Sequence, residues 1–184
     1  GTLGHIDVNF NIPDSAANNP LEFYGTKGSI IAVGTLAAIA QCAIDNESIA
    51  QEIEKKRKEI LDTTGTSLPL LIVPMIDARR MEVYTAIFNE KGEQQTDIEA
   101  KILDEESFKE ELESAIVLFT GNGSEKFKPL VNHPNAVFAQ QLPHASGMRV
   151  IASERLNKKE FKDVAYFEPF YLKDFVAGKP KKLL

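Results

Sequence analysis

At the centre of the chain stands Leu70-Leu71-Ile72-Val73-Pro74-Met75-Ile76-Asp77-Ala78-Arg79-Arg80-Met81-Glu82-Val83-Tyr84. The apolar run at residues 70–76 has the length and composition of a buried strand. A charged corner follows this run, and the chain then enters a second apolar segment. This pattern predicts a β-hairpin. Its tip displays two arginines and two carboxylates, which are Asp77, Arg79, Arg80 and Glu82.

Downstream of this hairpin, the sequence predicts further strands and helices in a mixed α/β layer. The second strand covers residues 81–89, and a turn at Lys91-Gly92 leads to a third strand at residues 94–103. Helices and strands then alternate. They are a short helix capped by Asp104, a buried strand at 115–120, a helix from Ser124 to residue 130, a strand at 136–139 and a helix at 145–156.

Upstream of the hairpin, two helical patterns and a β-rich segment are predicted. Thr35 is the expected N-cap of the first helix. The second helix covers residues 48–61 and ends near Gly65, with ion pairs expected between Glu52 and Lys56 and between Glu54 and Lys58. Before these helices, residues 5–10 alternate as a strand does, and a glycine turn at 25–28 joins strands at 21–24 and 29–33. We therefore divide the chain into a β-rich segment at 1–33 and an α/β domain at 34–184.

Two motifs resemble those of the TsaB family, also called YeaZ and known as glycoprotease-like. The first is Ile76-Asp77-Ala78-Arg79-Arg80-Met81-Glu82-Val83-Tyr84, which matches the pattern IDAR-x-x-EVY, and the second is Tyr166-Phe167-Glu168-Pro169-Phe170-Tyr171-Leu172-Lys173. The resemblance covers about residues 30–184. It implies one ribonuclease-H-like half of an actin/Hsp70-type (ASKHA) fold, with a mixed sheet and flanking helices.

The same resemblance implies an accessory function without an active site. TsaB-like proteins scaffold the TsaD-type ATPase that attaches a threonylcarbamoyl group to adenosine of tRNA. The implied partners are this ATPase, a TsaE-type ATPase and a second copy of the chain, with tRNA contacted only indirectly and no membrane contact. No cofactor or metal is expected on the chain itself. The residues that the motifs offer as an interface are Asp77, Arg79, Arg80, Glu82, Tyr84 and Tyr171.

Residues 1–35 resemble a different family. The sequence from Asn19 to Thr35 is similar to part of the C-terminal domain of sugar oxidoreductases of the Gfo/Idh/MocA type. A remnant or fusion of such an oxidoreductase is therefore an alternative. Against it, the chain contains neither a Gly-x-Gly-x-x-Gly turn for a dinucleotide nor the family's Glu-Lys-Pro lysine motif. The phosphate loop and the Gly-Pro-Gly-Ser segment of the first half of TsaB proteins are also absent from the sequence.

Composition narrows the function classes further. The formal net charge of −6 argues against a broadly basic surface for nucleic acid. The single cysteine, Cys42, cannot form an internal disulfide and lies in an apolar run, so we expect a buried thiol. The sequence shows neither an apolar run of about 20 residues that could span a membrane nor an export signal. A cytoplasmic location is the expectation.

The polar residues could also have catalytic roles, but the sequence favours structural roles for them. Asp77 and Glu82 could act as acid and base, although a turn in which Asp77 accepts backbone N–H groups explains them as well. A glycoprotease-like metallopeptidase needs closely spaced ligands, and the three histidines, His5, His133 and His144, lie too far apart in sequence. The turn Gly121-Asn122-Gly123-Ser124 could hold an anion on its amides, but a tight turn is favoured.

Overall fold

A computed structural model describes residues 21–24, 30–163, 165–168 and 172. The strand predicted at 5–10, the glycine turn at 25–28 and the candidate interface residue Tyr171 lie outside these residues. The strands are β1 (Leu21–Tyr24), β2 (Ile30–Val33), β3 (Leu70–Asp77), β4 (Glu82–Thr85), β5 (Phe88–Asn89), β6 (Glu99–Ile102), β7 (Ile116–Thr120) and β8 (Ala136–Ala139). The helices are α1 (Thr35–Ile44), α2 (Glu47–Thr64), α3 (Lys109–Ser114), α4 (Ser124–Phe127) and α5 (Arg149–Asn157). Short 3-10 turns follow α4 at Lys128–Leu130 and precede α5 at Ala145–Met148.

The main sheet is mixed, with strand order β6-β4-β3-β7-β8 and β5 paired with β3. β3 pairs antiparallel with β4, and β4 pairs antiparallel with β6. β7 runs parallel to β3, and β8 runs parallel to β7. Three antiparallel strands followed by alternating helices and strands were predicted, and this order is confirmed.

The continuous apolar run of β3 is buried on both faces of the sheet, as central strands covered by helices are. Alternate residues contribute to two separate cores, because side chains of a strand point to opposite faces. Ile72 joins Leu36, Ile49 and Ile53 of α1 and α2 in one core. Val73 and Met75 join α3 and α4 in the other core, which includes Leu112 and Phe127.

The second core contains a cluster of phenylalanines. The rings of Phe108, Phe119 and Phe127 meet edge to face with centroids 5.0–5.6 Å apart. Phe138 of β8 stacks on Phe119 at 5.1 Å. Such aromatic pairs add about 0.5–1.5 kcal/mol each beyond the area they bury. This cluster fixes β7, β8 and α4 relative to one another.

Helix α1 is the most buried helix of the described chain and begins one residue earlier than a Thr35 N-cap requires. Gly34 occupies the N-cap position with extended backbone, and Thr35 is the first helical residue, so the predicted cap was wrong by one position. Helix α2 was predicted correctly in place and in its end at Gly65, whose φ of 71° suits glycine. Its ion pairs differ from the expected ones, since Arg57 pairs with Glu54 and Lys56 with Glu59.

Strand β2 packs against helices α1 and α5. β1 and β2 pair antiparallel, as predicted, from Leu21 opposite Val33 to Tyr24 opposite Ile30. Val33 packs with Ala38 and Met148 in a third small core. The Arg155 guanidinium donates to the Ala32 carbonyl, and the Lys162 N–H donates to the Ile30 carbonyl at 2.8 Å.

Three predicted elements are shorter or begin later in the structure. β6 covers only the second half of the predicted third strand, because the polar residues before it form a loop in which Thr96 Oγ1 accepts from the Ile87 N–H at 3.0 Å. Asp104 caps a turn instead of a helix, since its Oδ1 accepts from Ser107 Oγ at 2.7 Å and α3 begins only at Lys109. The last predicted helix begins as a 3-10 turn.

Candidate functional site

The β3–β4 hairpin ends in a compact loop, residues 77–82, which we call the hairpin tip. The Ala78 N–H donates to the Glu82 carbonyl and the Glu82 N–H donates to the Arg79 carbonyl, each at 3.1 Å. Asp77 Oδ1 accepts from the Arg79 N–H at 2.8 Å. The predicted turn, with Asp77 accepting a backbone N–H group, is therefore present. The local Arg79–Glu82 pairing that the structure records is this backbone bond.

Two successive arginines in the tip have left-handed backbone conformations. The φ angles are 71° at Arg79 and 51° at Arg80. Residues with a Cβ avoid this region, and holding one there costs on the order of 1–3 kcal/mol. Glycine or asparagine would meet the backbone requirement at lower cost. The backbone conformation therefore disfavours arginine at both positions, and it does not explain why arginine is found there.

The side chain of Lys126, from α4, holds the tip in place. Its Nζ donates to Asp77 Oδ1 at 2.7 Å, to the Arg80 carbonyl at 2.8 Å and to the Glu82 carbonyl at 2.6 Å. An ammonium group has three protons, and all three are used here. The Lys126 side chain is only 18% exposed, whereas Asp77 is 49% exposed. The loop is therefore preorganised by a residue outside it.

Lys126 reaches the tip because the glycine turn after β7 packs closely against β3. A Cβ on Gly121, whose φ is 89°, would lie 2.3 Å from the Met75 carbonyl oxygen, and one on Gly123 would lie 2.9 Å from Val83 Cγ1. Asn122 Oδ1 in the same turn accepts from the Asp77 N–H at 3.1 Å. Because these two positions have no Cβ, α4 can lie close enough to the hairpin tip for Lys126 to reach it.

Two amides of this glycine turn, those of Gly123 and Ser124, are already used within the protein. The Gly123 N–H donates to the Met75 carbonyl at 3.0 Å, and the Ser124 N–H donates to the Gly121 carbonyl at 3.2 Å. An anion would have to replace these bonds. The tight-turn interpretation of the sequence agrees with this geometry.

The ionisation of Asp77 reflects the same contacts. Partial burial, the largest single influence, raises the pKa of the Asp77 carboxyl. The hydrogen bonds from Lys126 and from the Arg79 N–H, together with the charge of Lys126, act in the opposite direction, and the resulting pKa lies below its usual value. Asp77 is therefore a stable carboxylate at neutral pH, which suits an anchoring residue better than a general acid.

The outer face of the tip is both basic and apolar. The Arg79 and Arg80 side chains are exposed, and in the described part of the chain neither guanidinium forms a hydrogen bond or an ion pair. Met81 beside them is 36% exposed, and Ile102, opposite Glu82 in β6, is 70% exposed. We call Arg79, Arg80, Met81 and Ile102 the tip surface. Exposed arginine next to apolar side chains is typical of protein contact points.

The other predicted site residues do not all join this surface. Tyr84 is only 7% exposed and lies within β4, opposite Ile76 of β3. Asp77 is half-exposed but engaged with Lys126, and Glu82 is partly buried at the start of β4. Tyr171 lies outside the described residues. The structure thus brings the first motif together, with its arginines outward and its tyrosine inward.

Lys126 is the site residue that sequence reasoning missed. It lies 44 positions beyond Glu82 in the chain. A usable signal was available, because parallel neighbouring strands end at the same edge of a sheet. The residues after β7 must therefore meet the residues after β3, and Lys126 is the cation in that segment.

The contacts of Cys42 and His133 are those of residues with a structural role. Cys42 is buried, as expected, with Sγ 3.8 Å from the His144 carbonyl oxygen. His133 is partly buried in its loop, and its Nδ1 accepts from the Asn135 N–H at 3.2 Å. No three His, Cys, Asp or Glu side chains among the described residues are grouped to hold a metal ion. Within the same residues, no helix has the length and apolar character needed to cross a membrane.

Comparison with solved structures identifies proteins of similar fold. One is an uncharacterised protein with similarity to peptidase YeaZ from Pseudomonas aeruginosa, with a TM-score of 0.58 and 21% identity over 80% of this chain and 60% of that chain. Another is YeaZ from Pseudomonas aeruginosa, with a TM-score of 0.57 and 20% identity over 79% of this chain and 60% of that chain. This chain thus matches about 60% of the length of either structure. No protein-family model matches the sequence, and no curated protein matches it.

These likenesses confirm the predicted fold class. The chain has a YeaZ-like fold, with a mixed sheet and flanking helices. They lend no support to the oxidoreductase resemblance of residues 1–35. At this level of identity, the likeness concerns the fold and leaves the chemistry to be argued from the site.

Proposed function

We propose that this chain is a non-catalytic accessory protein of tRNA threonylcarbamoyladenosine modification that acts in the cytoplasm by binding a TsaD-type ATPase. The observation that carries the proposal is the YeaZ-like fold, combined with the motif from Ile76 to Tyr84 in its hairpin. The geometry of the hairpin tip supports a role in binding another protein and not a role in catalysis. The ammonium group of Lys126 is used to hold the loop, and the side chains of Arg79 and Arg80 are exposed.

The tip surface is the contact element in this proposal. A strained loop held by three bonds from Lys126 loses little conformational freedom when a partner binds, which reduces the entropic cost of association. Two exposed guanidiniums fit carboxylates of the partner, since arginine binds a carboxylate through two parallel hydrogen bonds. Met81 and Ile102 add apolar area beside them. We propose that the ATPase presents an acidic and apolar patch to this surface.

The remaining parts of the proposal concern other partners. A TsaE-type ATPase and a second copy of the chain are further candidate partners, and tRNA is contacted through the ATPase. Because the chain matches about 60% of the length of the similar structures, contacts made by the rest of such proteins are not represented in the described residues. The proposal therefore requires the tip surface to contribute measurably to the affinity for the ATPase without those contacts.

Calorimetric titration of the purified chain with the TsaD-type ATPase of the same organism tests the association. We expect binding at micromolar concentrations. The informative variant is Arg79→Gly with Arg80→Gly, because glycine accepts both positive φ angles, so the loop conformation is kept while both arginine side chains are removed. Losing two arginines at a contact should weaken binding by at least tenfold.

A matched control separates this contact from general charge. Lys91→Gly with Lys158→Gly also removes two exposed cations, but away from the tip surface, and should leave affinity within about twofold. Lack of association at micromolar concentrations would remove the partner half of the proposal. Hydrolysis of ATP or of a peptide by the chain alone would contradict its non-catalytic half.

A further inference from the structure

Strand β8 forms one end of the main sheet and pairs only with β7 among the described residues. Edge strands present unpaired N–H and C=O groups that can accept a further strand. β8 is short, with four residues. Three of its residues line a groove of about 320 Å³ that is open to solvent.

The register of β8 shows which backbone groups face this groove. Val117 lies opposite Ala136, and the Val117 N–H donates to the Asn135 carbonyl at 2.9 Å. In a parallel ladder, alternate residues of a strand bond to the same neighbour. Residues 135, 137 and 139 therefore bond to β7, while Ala136 and Phe138 direct their backbone groups to the outer edge. The Ala136 N–H is used by the His133 carbonyl at 3.1 Å, which leaves the N–H and C=O of Phe138 and the C=O of Ala136.

The lining of the groove agrees with an accessible backbone edge. Ala136, Val137 and Phe138 all line it, although successive side chains of a strand point to opposite faces. Three consecutive residues of a strand can line the same groove if the groove runs along their main chain, because their side chains alone would lie on opposite faces. The groove is therefore a slot along the edge of the sheet and not a pocket on one of its faces.

The two walls of the slot come from opposite sides of the sheet and carry cations. Helix α2 packs in the core of Val137 and contributes Lys55 and Lys56, together with Glu52 and Glu59. The 3-10 turn after α4, on the face of Phe138, contributes Lys128. Lys56 pairs with Glu59 at 3.6 Å, which leaves Lys55 and Lys128, one on each wall, against the single carboxylate of Glu52.

We propose that this slot binds an extended acidic peptide segment of a partner protein by strand addition to β8. The segment bonds through its main chain to Phe138 and Ala136, as in other complexes in which a peptide extends a sheet. Because successive side chains of a strand alternate in direction, two adjacent acidic residues reach the two walls at once. The recognised segment therefore contains an Asp or Glu pair at successive positions, one for Lys55 and one for Lys128. This proposal concerns a surface separate from the tip and does not depend on the ATPase.

The probe is the fluorescein-labelled peptide acetyl-Thr-Val-Glu-Glu-Val-Thr-amide, and binding to the full chain is followed by fluorescence anisotropy. We expect saturable binding below 1 mM, and exchange of the Phe138 amide proton, followed by NMR, that slows when the peptide is added. A peptide with lysines in place of the glutamates should bind at least tenfold more weakly. The glutamate peptide with alternate residues N-methylated should not bind, because the donors for strand addition are then missing.

Charge reversal in the protein provides the complementary test. Lys55→Glu with Lys128→Glu should weaken binding of the glutamate peptide at least tenfold, while Lys91→Glu with Lys158→Glu should leave it within about twofold. Absence of binding up to 1 mM would overturn the proposal, and so would binding with unchanged exchange at Phe138. A chain that sediments as a dimer, with the Phe138 amide protected before any peptide is added, would also overturn it in favour of pairing between two copies.

Discussion

At the residue scale, Lys126 explains how an unfavourable loop persists. Two arginines with positive φ would destabilise a free hairpin, yet three hydrogen bonds from one ammonium group hold the loop. Hydrogen bonds that involve a charged group contribute about 1.5–3 kcal/mol each, with strong non-additivity when one group makes several. The energy available from Lys126 is thus of the same order as the strain that it offsets.

Replacing Lys126 by methionine keeps the apolar stem and removes the ammonium group. We expect Lys126→Met to lower the free energy of unfolding by about 2–3 kcal/mol, because Asp77 and two carbonyl groups lose their donor. Urea denaturation followed by circular dichroism measures this difference. The matched control is Lys109→Met, which removes a 59%-exposed ammonium paired with Glu106 and should change stability by less than about 1 kcal/mol. Equal effects of the two variants would show that Lys126 is not the anchor.

Asp77 makes a contribution to stability that depends on pH. Its folded pKa lies below the ordinary value of 3.8, so the folded protein binds fewer protons there than the unfolded chain. The contribution is complete above the unfolded pKa and is lost as pH falls through the folded pKa. The free energy of unfolding of the protein should therefore exceed that of Asp77→Asn at pH 6, and the difference should shrink as the pH falls below the ordinary value of 3.8. Asp104, whose pKa is also lowered, is present in both proteins and does not affect the comparison.

At the element scale, sequence patterns predicted the strands and helices with continuous apolar runs and missed details that depend on distant contacts. β3, β7 and β8 were predicted within one or two residues, because each is a continuous apolar run in the sequence. The short β6 and the left-handed Phe108 before α3 were not predicted. Their conformations depend on side-chain bonds such as Ser107 to Asp104, which a propensity cannot include.

The candidate site shows the same division. The hairpin and the outward arginines follow from residues 70–84 alone, but their anchor lies on another element. Likewise, Gly147 lies in a segment predicted as a helix and its role becomes evident only in packing, since a Cβ there would lie 2.5 Å from both the Ala38 carbonyl oxygen and Cys42 Sγ. Local pattern thus predicts elements, whereas sites are completed by tertiary contacts.

The β7–α4 turn provides a prediction at this scale. Gly121→Ala should lower the free energy of unfolding by more than about 2 kcal/mol, because its φ is 89° and the new methyl group would collide with the Met75 carbonyl oxygen. Gly34→Ala is the control, since nothing lies within 4 Å of a Cβ there and φ is −66°. The control should stay within about 1 kcal/mol of the wild type in the same urea titration. A small effect at Gly121 would mean that α4 can shift away from β3 without cost.

At the scale of the whole molecule, the distribution of charge bears on what the protein can bind. The chain has 27 acidic and 21 basic residues, and a net charge of −6. The tip surface carries two arginines, and the β8 slot has one more lysine than carboxylates, on a chain that is acidic as a whole. A few cations arranged in this way can select a carboxylate, but they do not follow a phosphate backbone over a helical turn.

We therefore expect the chain alone to bind tRNA weakly. Measuring this affinity distinguishes a chain that contacts tRNA itself from one that is brought to tRNA by the ATPase. In an electrophoretic mobility shift at 150 mM salt, we expect no complex of the chain with tRNA below about 100 µM, the weak end of non-specific binding. Adding the TsaD-type ATPase should retain both tRNA and this chain in one complex, because the ATPase then supplies the phosphate contacts. The Arg79→Gly, Arg80→Gly variant should be absent from that complex while the ATPase still retains tRNA. Tight binding of tRNA by the chain alone, lost in the same variant, would instead assign the arginines to the nucleic acid.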